Sequence, residues 1–293
     1  MRESLGMKTT PSTETAGRIL DTDETKKKNV NAGGNMKRRG IHGLLLFSLS
    51  ALSLYGSRVD LGTAGSFAVL GGTGVTNTGP TVIWGDLGVS PGAASTITGF
   101  PPGVISGTEH AADTEAANAQ ADALAAYDYL AGLTPTENLT GRNLGGQTLT
   151  PGVYKFDTTA GLTGKLTLDL QGDPNSLFVF QIGTTLTTAS GSSVVTTDGT
   201  DCCNIFWQIG TTATLGSDTD FRGNILAFTT ITLNSGAKIA EGRALALTAA
   251  VTLDTNNISN AGCDVPEPGT VPLLGAGLLG LLLLGRTSRK RAA

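Results

Sequence analysis

The feature that most constrains this chain is a short unit that recurs about every 20 residues from Lys165 onward. Each copy alternates outward and inward positions: Lys165-Leu166-Thr167-Leu168, Thr185-Leu186-Thr187-Thr188, Thr212-Ala213-Thr214-Leu215, Thr230-Ile231-Thr232-Leu233 and Ala250-Val251-Thr252-Leu253. The second outward Thr falls at 167, 187, 214, 232 and 252, in steps of 20, 27, 18 and 20 residues. The long step contains an insert, Thr196–Thr200, rich in Thr, Asp and Gly. Alternation with period two marks a strand. A repeat near 20 is too short for a helical repeat or a propeller blade, and it suits one coil of a β-solenoid with three short faces. Composition agrees, because 43 Thr and 41 Gly among 293 residues disfavour long helices and favour strands joined by tight corners.

Two further strands complete each coil. One reads Ser190-Gly191-Ser192-Ser193-Val194, Ser217-Asp218-Thr219-Asp220-Phe221 and Ser235-Gly236-Ala237-Lys238-Ile239. The other is apolar on both sides: 177–182, 205–209, 225–228 and 244–247. A strand apolar on both sides must be covered. The cover is an Ala-rich stretch that predicts one helix over about 108–131. Ser106-Gly107-Thr108-Glu109 offers a capping box, and Ala112, Ala116, Ala119, Ala123, Tyr127 and Leu130 line one face. Before the helix, Thr76-Asn77-Thr78, Thr81-Val82-Ile83 and the turn-strand-turn Gly85–Gly92 read as further coils, so the solenoid is discontinuous in sequence.

Several stretches of 61–260 carry a family likeness: Leu61-Gly62-Thr63-Ala64-Gly65-Ser66-Phe67-Ala68-Val69-Leu70, Gly85–Gly92, Gly99-Phe100-Pro101-Pro102-Gly103, His110-Ala111-Ala112-Asp113, Gly145–Tyr154, Phe206-Trp207-Gln208 and Gly242–Ala246. With these the body resembles the ice-binding-protein-like family of microbial antifreeze and ice-adhesion proteins (DUF3494-type). The resemblance implies an all-β fold, a discontinuous three-faced β-solenoid with one long α-helix packed alongside. It also implies that the partner is the surface of an ice crystal. Trp84 departs from the pattern, since the family more often has a small polar residue there.

Ice is a regular lattice, so its receptor must be flat, rigid and regular. Strands of a sheet lie ~4.8 Å apart and residues i and i+2 of one strand ~6.7 Å apart, so stacked Thr-x-Thr units make a two-dimensional grid. Each Thr offers a methyl that cages water and a hydroxyl that anchors it, on a side chain stiff at χ1. The expected ice-binding set is Thr185, Thr187, Thr212, Thr214, Thr230, Thr232, Ala250 and Thr252, with Thr167 at its margin and Lys165 intruding at one edge. The Ser-rich strand is the weaker choice of face, because Asp218, Asp220 and Lys238 stand outward on it. The rival from another class is an extracellular-matrix or adhesion module of the same fold without ice affinity, which would meet a polysaccharide matrix. A carbohydrate-binding surface protein is a third reading.

Both ends read as addresses. Residues 1–35 are polar, of mixed charge and without period, as in a disordered segment or an upstream extension preceding the true start at Met36. Residues 36–57 read as a signal peptide: Lys37, Arg38 and Arg39, then an apolar run from Ile41 to Leu54, then small residues. The domain then spans 58–262. Residues 263–293 resemble a PEP-CTERM sorting signal, with Pro266, Glu267 and Pro268, a hydrophobic helix over 271–285, and a basic tail of Arg286, Arg289, Lys290 and Arg291. That resemblance implies transient membrane anchoring, processing by an exosortase-type enzyme, and a final place at the cell surface or outside it.

Other chemistry is poorly supplied. Residues 61–262 hold 6 Lys+Arg against 16 Asp+Glu, a net charge of −10, so the body repels phosphate and no nucleic acid is expected. His42 lies in the leader, which leaves His110 as the one His of the body, and no triad, phosphate loop or metal cluster accompanies it. No enzyme activity, cofactor or metal is therefore expected. Asp218 and Asp220 alone make a poor Ca²⁺ site. Of the three Cys, Cys203 with Cys263 or Cys202 with Cys263 could pair in an exported protein, and the sequence leaves that open.

Overall fold

A computed structural model describes residues 59–197 and 204–261. The expected leader, the sorting segment, and Cys202, Cys203 and Cys263 lie outside the described residues. The described chain forms three sheets of nine, seven and eight strands, and each complete coil gives one strand to each sheet. One coil runs through Phe178–Ile182, Leu186–Thr188 and Ser193–Thr196. The next runs through Ile205–Ile209, Ala213–Leu215 and Asp220–Arg222, and successive coils pair in parallel. A column of residues with positive φ, each at the corner where its coil leaves the seven-stranded sheet, explains part of the Gly content. It contains Gly191 (φ 69°), Asp218 (φ 54°) and Gly236 (φ 77°), joined coil to coil by Gly191 N–H to Ser217 O and Asp218 N–H to Ser235 O. Asp218 thus serves the corner, since Asp tolerates this conformation better than most side chains do.

The N-terminal coils do not precede the solenoid in space; they close its other end. Phe67–Gly71, Gly74–Thr78 and Val82–Trp84 pair with Ala244–Ala246, Ala250–Asp254 and Asn257–Ser259, the last coil in sequence. Arg243 bolts this junction from a buried position, donating from Nε to Gly65 O (3.0 Å) and from Nη1 to Asn224 Oδ1 (2.8 Å).

This order forces the helix. The chain leaves the N-terminal coils at Glu109–Ala111, one edge of the nine-stranded sheet, and must resume at Glu137–Asn138, the opposite edge. Eight strand spacings amount to ~38 Å. A 19-residue helix, Thr114–Gly132, covers ~28 Å of that, and short linkers cover the rest. Ala119, Ala123, Ala126 and Leu130 are buried on Phe67, Leu70, Val179, Phe206, Leu226 and Leu245 of the sheet, and Ala116 is buried as well. The alternate residues of the same strands, including Phe180, Trp207 and Ile225, fill the solenoid interior. The apolar character of both sides is thereby accounted for.

The helix start differs from expectation. Glu109–Ala111 pairs as a strand with Asp86–Val89, so no capping box forms at Ser106 and Glu109, and Ala112 precedes the helix with a φ of 54°. Asp113 is the N-cap, accepting from Ala116 N–H at 2.8 Å. Sheet pairing outcompeted the local signal, because each strand residue gains ladder bonds that a frayed first turn lacks. At the other end Gln181 Nε2 donates to Leu130 O (2.7 Å) and Leu133 O (2.8 Å), satisfying terminal carbonyls.

The bond from Ala116 N–H, with a second from His110, holds the Asp113 carboxyl below its ordinary pKa. A depressed carboxylate pKa contributes stability that is complete above the unfolded value of ~3.9 and disappears as pH falls through the folded value. The Ala116 amide resonance should therefore titrate with a midpoint below that of a free Asp, and Asp113→Ala should remove the titration. A midpoint at or above the ordinary value would refute the cap's electrostatic role.

Candidate functional site: a flat threonine plane

The seven-stranded sheet turns its inner residues, such as Leu186, Ala213, Ile231, Val251 and Val75, into the core. Its outer positions form columns. The first column pairs Gly161 with Thr187, Thr187 with Thr214, Thr214 with Thr232, Thr232 with Thr252, Thr252 with Thr76, and Thr76 with Thr98. Six Thr in unbroken register cover about 24 Å at the spacing of a sheet. Two residues earlier in each coil lies a second column: Thr185, Thr212 and Thr230, each immediately before its strand, continued by Ala250 and Gly74. Leu186 N–H to Thr212 O and Ala213 N–H to Thr230 O, both 3.0 Å, hold it in step. All eight residues of the expected set therefore lie on, or immediately before, the strands of one sheet.

Two residues were missed and two misplaced. Thr76 and Thr98 extend the first column, although 176 residues separate Thr76 from its neighbour Thr252 in the chain. The signal in reach was Thr76-Asn77-Thr78, but its stacking partner was not readable. Thr167 and Lys165, expected at the margin and edge of the plane, belong to Lys165–Leu168 on the eight-stranded sheet, paired with Ser193–Thr196. The same coil reaches the Thr plane through Ala160–Leu162, where Gly161 is the register partner of Thr187. Lys165 therefore does not intrude. The charged group bordering the plane is Asp254, beside Thr78 at the end of its strand.

The eight-stranded sheet is a poor counterpart. Asp220 and Lys238 are register partners that stand outward and exposed, 3.6 Å apart, and Arg222 pairs with Glu241 on the same sheet. Trp84 is also on it, half exposed, in register with Ser259. His110 bonds Asp113 through Nδ1 at 2.8 Å and packs against Phe67 with ring centroids 5.4 Å apart. Among the described residues, no group of three or more His, Cys, Asp or Glu could hold a metal ion. No described helix is long and apolar enough to cross a membrane.

Fold and plane together define a class: a parallel β-solenoid that presents a rigid, charge-poor grid rather than a cleft. Comparison with known proteins specifies it. The sequence model for ice-binding-like proteins matches residues 69–259, and that for the PEP-CTERM protein-sorting motif matches 264–290. The ice-binding protein of Nostoc sp. (strain HG1) is 58% identical over 234 residues, covering 77% of this chain and 86% of that protein. The ice-binding protein of Flavobacterium frigoris (strain PS1) is 37% identical over 213 residues, covering 69% and 76%. Among solved structures, an ice binding protein from an Antarctic biological consortium superposes with a TM-score of 0.66 at 43% identity, covering 69% of this chain and 91% of that one. That of the Antarctic ascomycete Antarctomyces psychrotrophicus gives 0.64 at 44% identity, covering 69% and 98%. The chain belongs to the ice-binding-like family.

Proposed function

We propose that this protein adsorbs to ice through the outer surface of the seven-stranded sheet, with Thr187, Thr214, Thr232, Thr252, Thr76 and Thr98 as the central column. Thr185, Thr212, Thr230 and Ala250 stand beside it. The observation that carries this reading is the unbroken register of six Thr, in a pair of adjacent outer columns that hold no charge. Each contact with a lattice water is weak, but all are presented together by a backbone that need not reorganise, so the ordering cost is small and the contacts add. Growth of the crystal then stops between adsorbed molecules. The sorting motif supports export and handling by an exosortase-type enzyme, with the leader of 36–57 as the route out and the segment 271–285 as a transient anchor. The matrix-module reading draws on that motif and leaves the Thr columns without a purpose.

The test is thermal hysteresis and ice recrystallisation inhibition by the purified protein. Activity at micromolar concentration is expected, and a protein that is folded yet inactive in both assays would transfer the reading to the matrix module. The extent of the plane is tested separately. Thr76→Tyr should lower hysteresis although it lies on the N-terminal coils, and full activity in that variant would confine the plane to the C-terminal repeats.

A further inference from the structure

The second column is hydrogen-bonded back to the protein in a way that fixes its protons. At the corner beside it, Thr211 Oγ1 donates to Thr184 O and Thr229 Oγ1 donates to Thr211 O, each at 2.8 Å. A carbonyl only accepts, and a hydroxyl has a single proton, so both corner hydroxyls have spent theirs. Thr185 Oγ1 lies 3.3 Å from Thr211 Oγ1, and Thr212 Oγ1 lies 3.3 Å from Thr229 Oγ1 and 3.0 Å from Thr230 Oγ1. One assignment lets all these bonds form at once: Thr185 donates to Thr211, Thr230 donates to Thr212, and Thr212 donates to Thr229.

We infer that Thr211 and Thr229 are positioning residues that turn the hydroxyl protons of Thr185, Thr212 and Thr230 into the protein, so this column meets ice as hydrogen-bond acceptors only. This deepens the proposed ice plane and rests on it. The bound water layer must direct O–H groups at the second column. The first column is not so restricted at Thr187, Thr214 and Thr232, whose hydroxyls have no protein partner among the described residues. The face therefore selects the proton arrangement of the water layer as well as its oxygen spacing. Chains of hydroxyls polarise one another, which strengthens the acceptor at the outer end.

Hydroxyl-proton exchange in labelled protein, measured by NMR in cold liquid water, tests the assignment without ice. The Thr212 hydroxyl proton should exchange about fivefold or more slowly than that of Thr232, as expected for one neutral hydrogen bond, and should show a cross-peak to Thr229. Equal exchange rates would overturn the inference whatever the protein does to ice. Thr229→Val removes the acceptor while keeping the shape, and Thr229→Ser keeps the acceptor. Valine should abolish the Thr212–Thr229 bond, leave Thr230 Oγ1 as the acceptor within reach of the Thr212 proton and so release the Thr230 proton toward solvent, speeding its exchange. It should also lower recrystallisation inhibition, while serine should restore the bond, the slow Thr230 exchange and the inhibition. Unchanged inhibition in a folded Thr229→Val protein, with wild type active, would overturn the positioning role. Inactivity of wild type itself would sink the ice plane but not the proton assignment.

Discussion

Thr214→Tyr should abolish thermal hysteresis while leaving the protein folded. Thr214 is flanked in its column by Thr187 and Thr232, so it lies near the middle of the C-terminal part of the plane. A phenol there stands several ångströms above the neighbouring methyls and holds a flat lattice off the positions around it. Because adsorption depends on many weak contacts made together, lifting the centre costs far more than one contact. The fold should tolerate the change, since Tyr is a good strand residue and surface substitutions usually shift stability by less than ~0.5 kcal/mol. Circular dichroism and nanolitre osmometry on the same sample separate the two effects. Thr232→Tyr should behave alike. Thr167→Tyr is the control, because its strand lies on the eight-stranded sheet and its variant should retain full activity. Equal losses at Thr167 and Thr214 would mean that the plane has been placed on the wrong sheet.

Trp207→Ala should produce the largest loss of stability. Trp207 is fully buried inside the solenoid, in register with Phe180 on the coil beside it. The two rings stack with centroids 3.9 Å apart and planes 9° apart, Phe221 packs at 4.8 Å, and Nε1 donates to Arg222 O at 3.1 Å. Removing a buried aromatic of this size costs ~3–5 kcal/mol, against a total of ~5–15 kcal/mol for a typical domain. Urea denaturation followed by circular dichroism should show the shift, and Trp207→Phe should recover a large part of it. The chain has two Trp, and Trp84 is half exposed, so intrinsic fluorescence should lose its blue component in the variant. A loss below 1 kcal/mol would mean that the aromatic stack does not carry the centre of the core.

Much of this architecture was legible in the sequence. The Thr-x-Thr units from Thr185 to Thr252 announced a coil of a β-solenoid, and their outward residues do share one sheet. The strand apolar on both sides required a cover, and the Ala-rich segment supplied it at the expected face, with Ala126 in place of Ala112. The helix start was not legible, because a local capping pattern at Ser106 and Glu109 competed with pairing to Asp86–Val89 on another coil. Gln181, which caps the other end of the helix, carried no signal at all, since only the packed structure brings it to the terminal carbonyls.

The sequence by itself determined which residues point outward and which inward, because a strand reverses its side chains at every step. It could not determine which of three faces an alternating segment joins. Lys165-Leu166-Thr167-Leu168 has the same alternation as the Thr-x-Thr units, yet the corner before it places it on the eight-stranded sheet and gives the Thr plane Gly161 instead. Nor could the sequence show that Thr76 and Thr98 continue the column, because that depends on the first coil stacking on the last. Tertiary structure decided both points: period-two alternation is a local property of the chain, whereas a continuous Thr plane exists only where coils distant in sequence are hydrogen-bonded into one register.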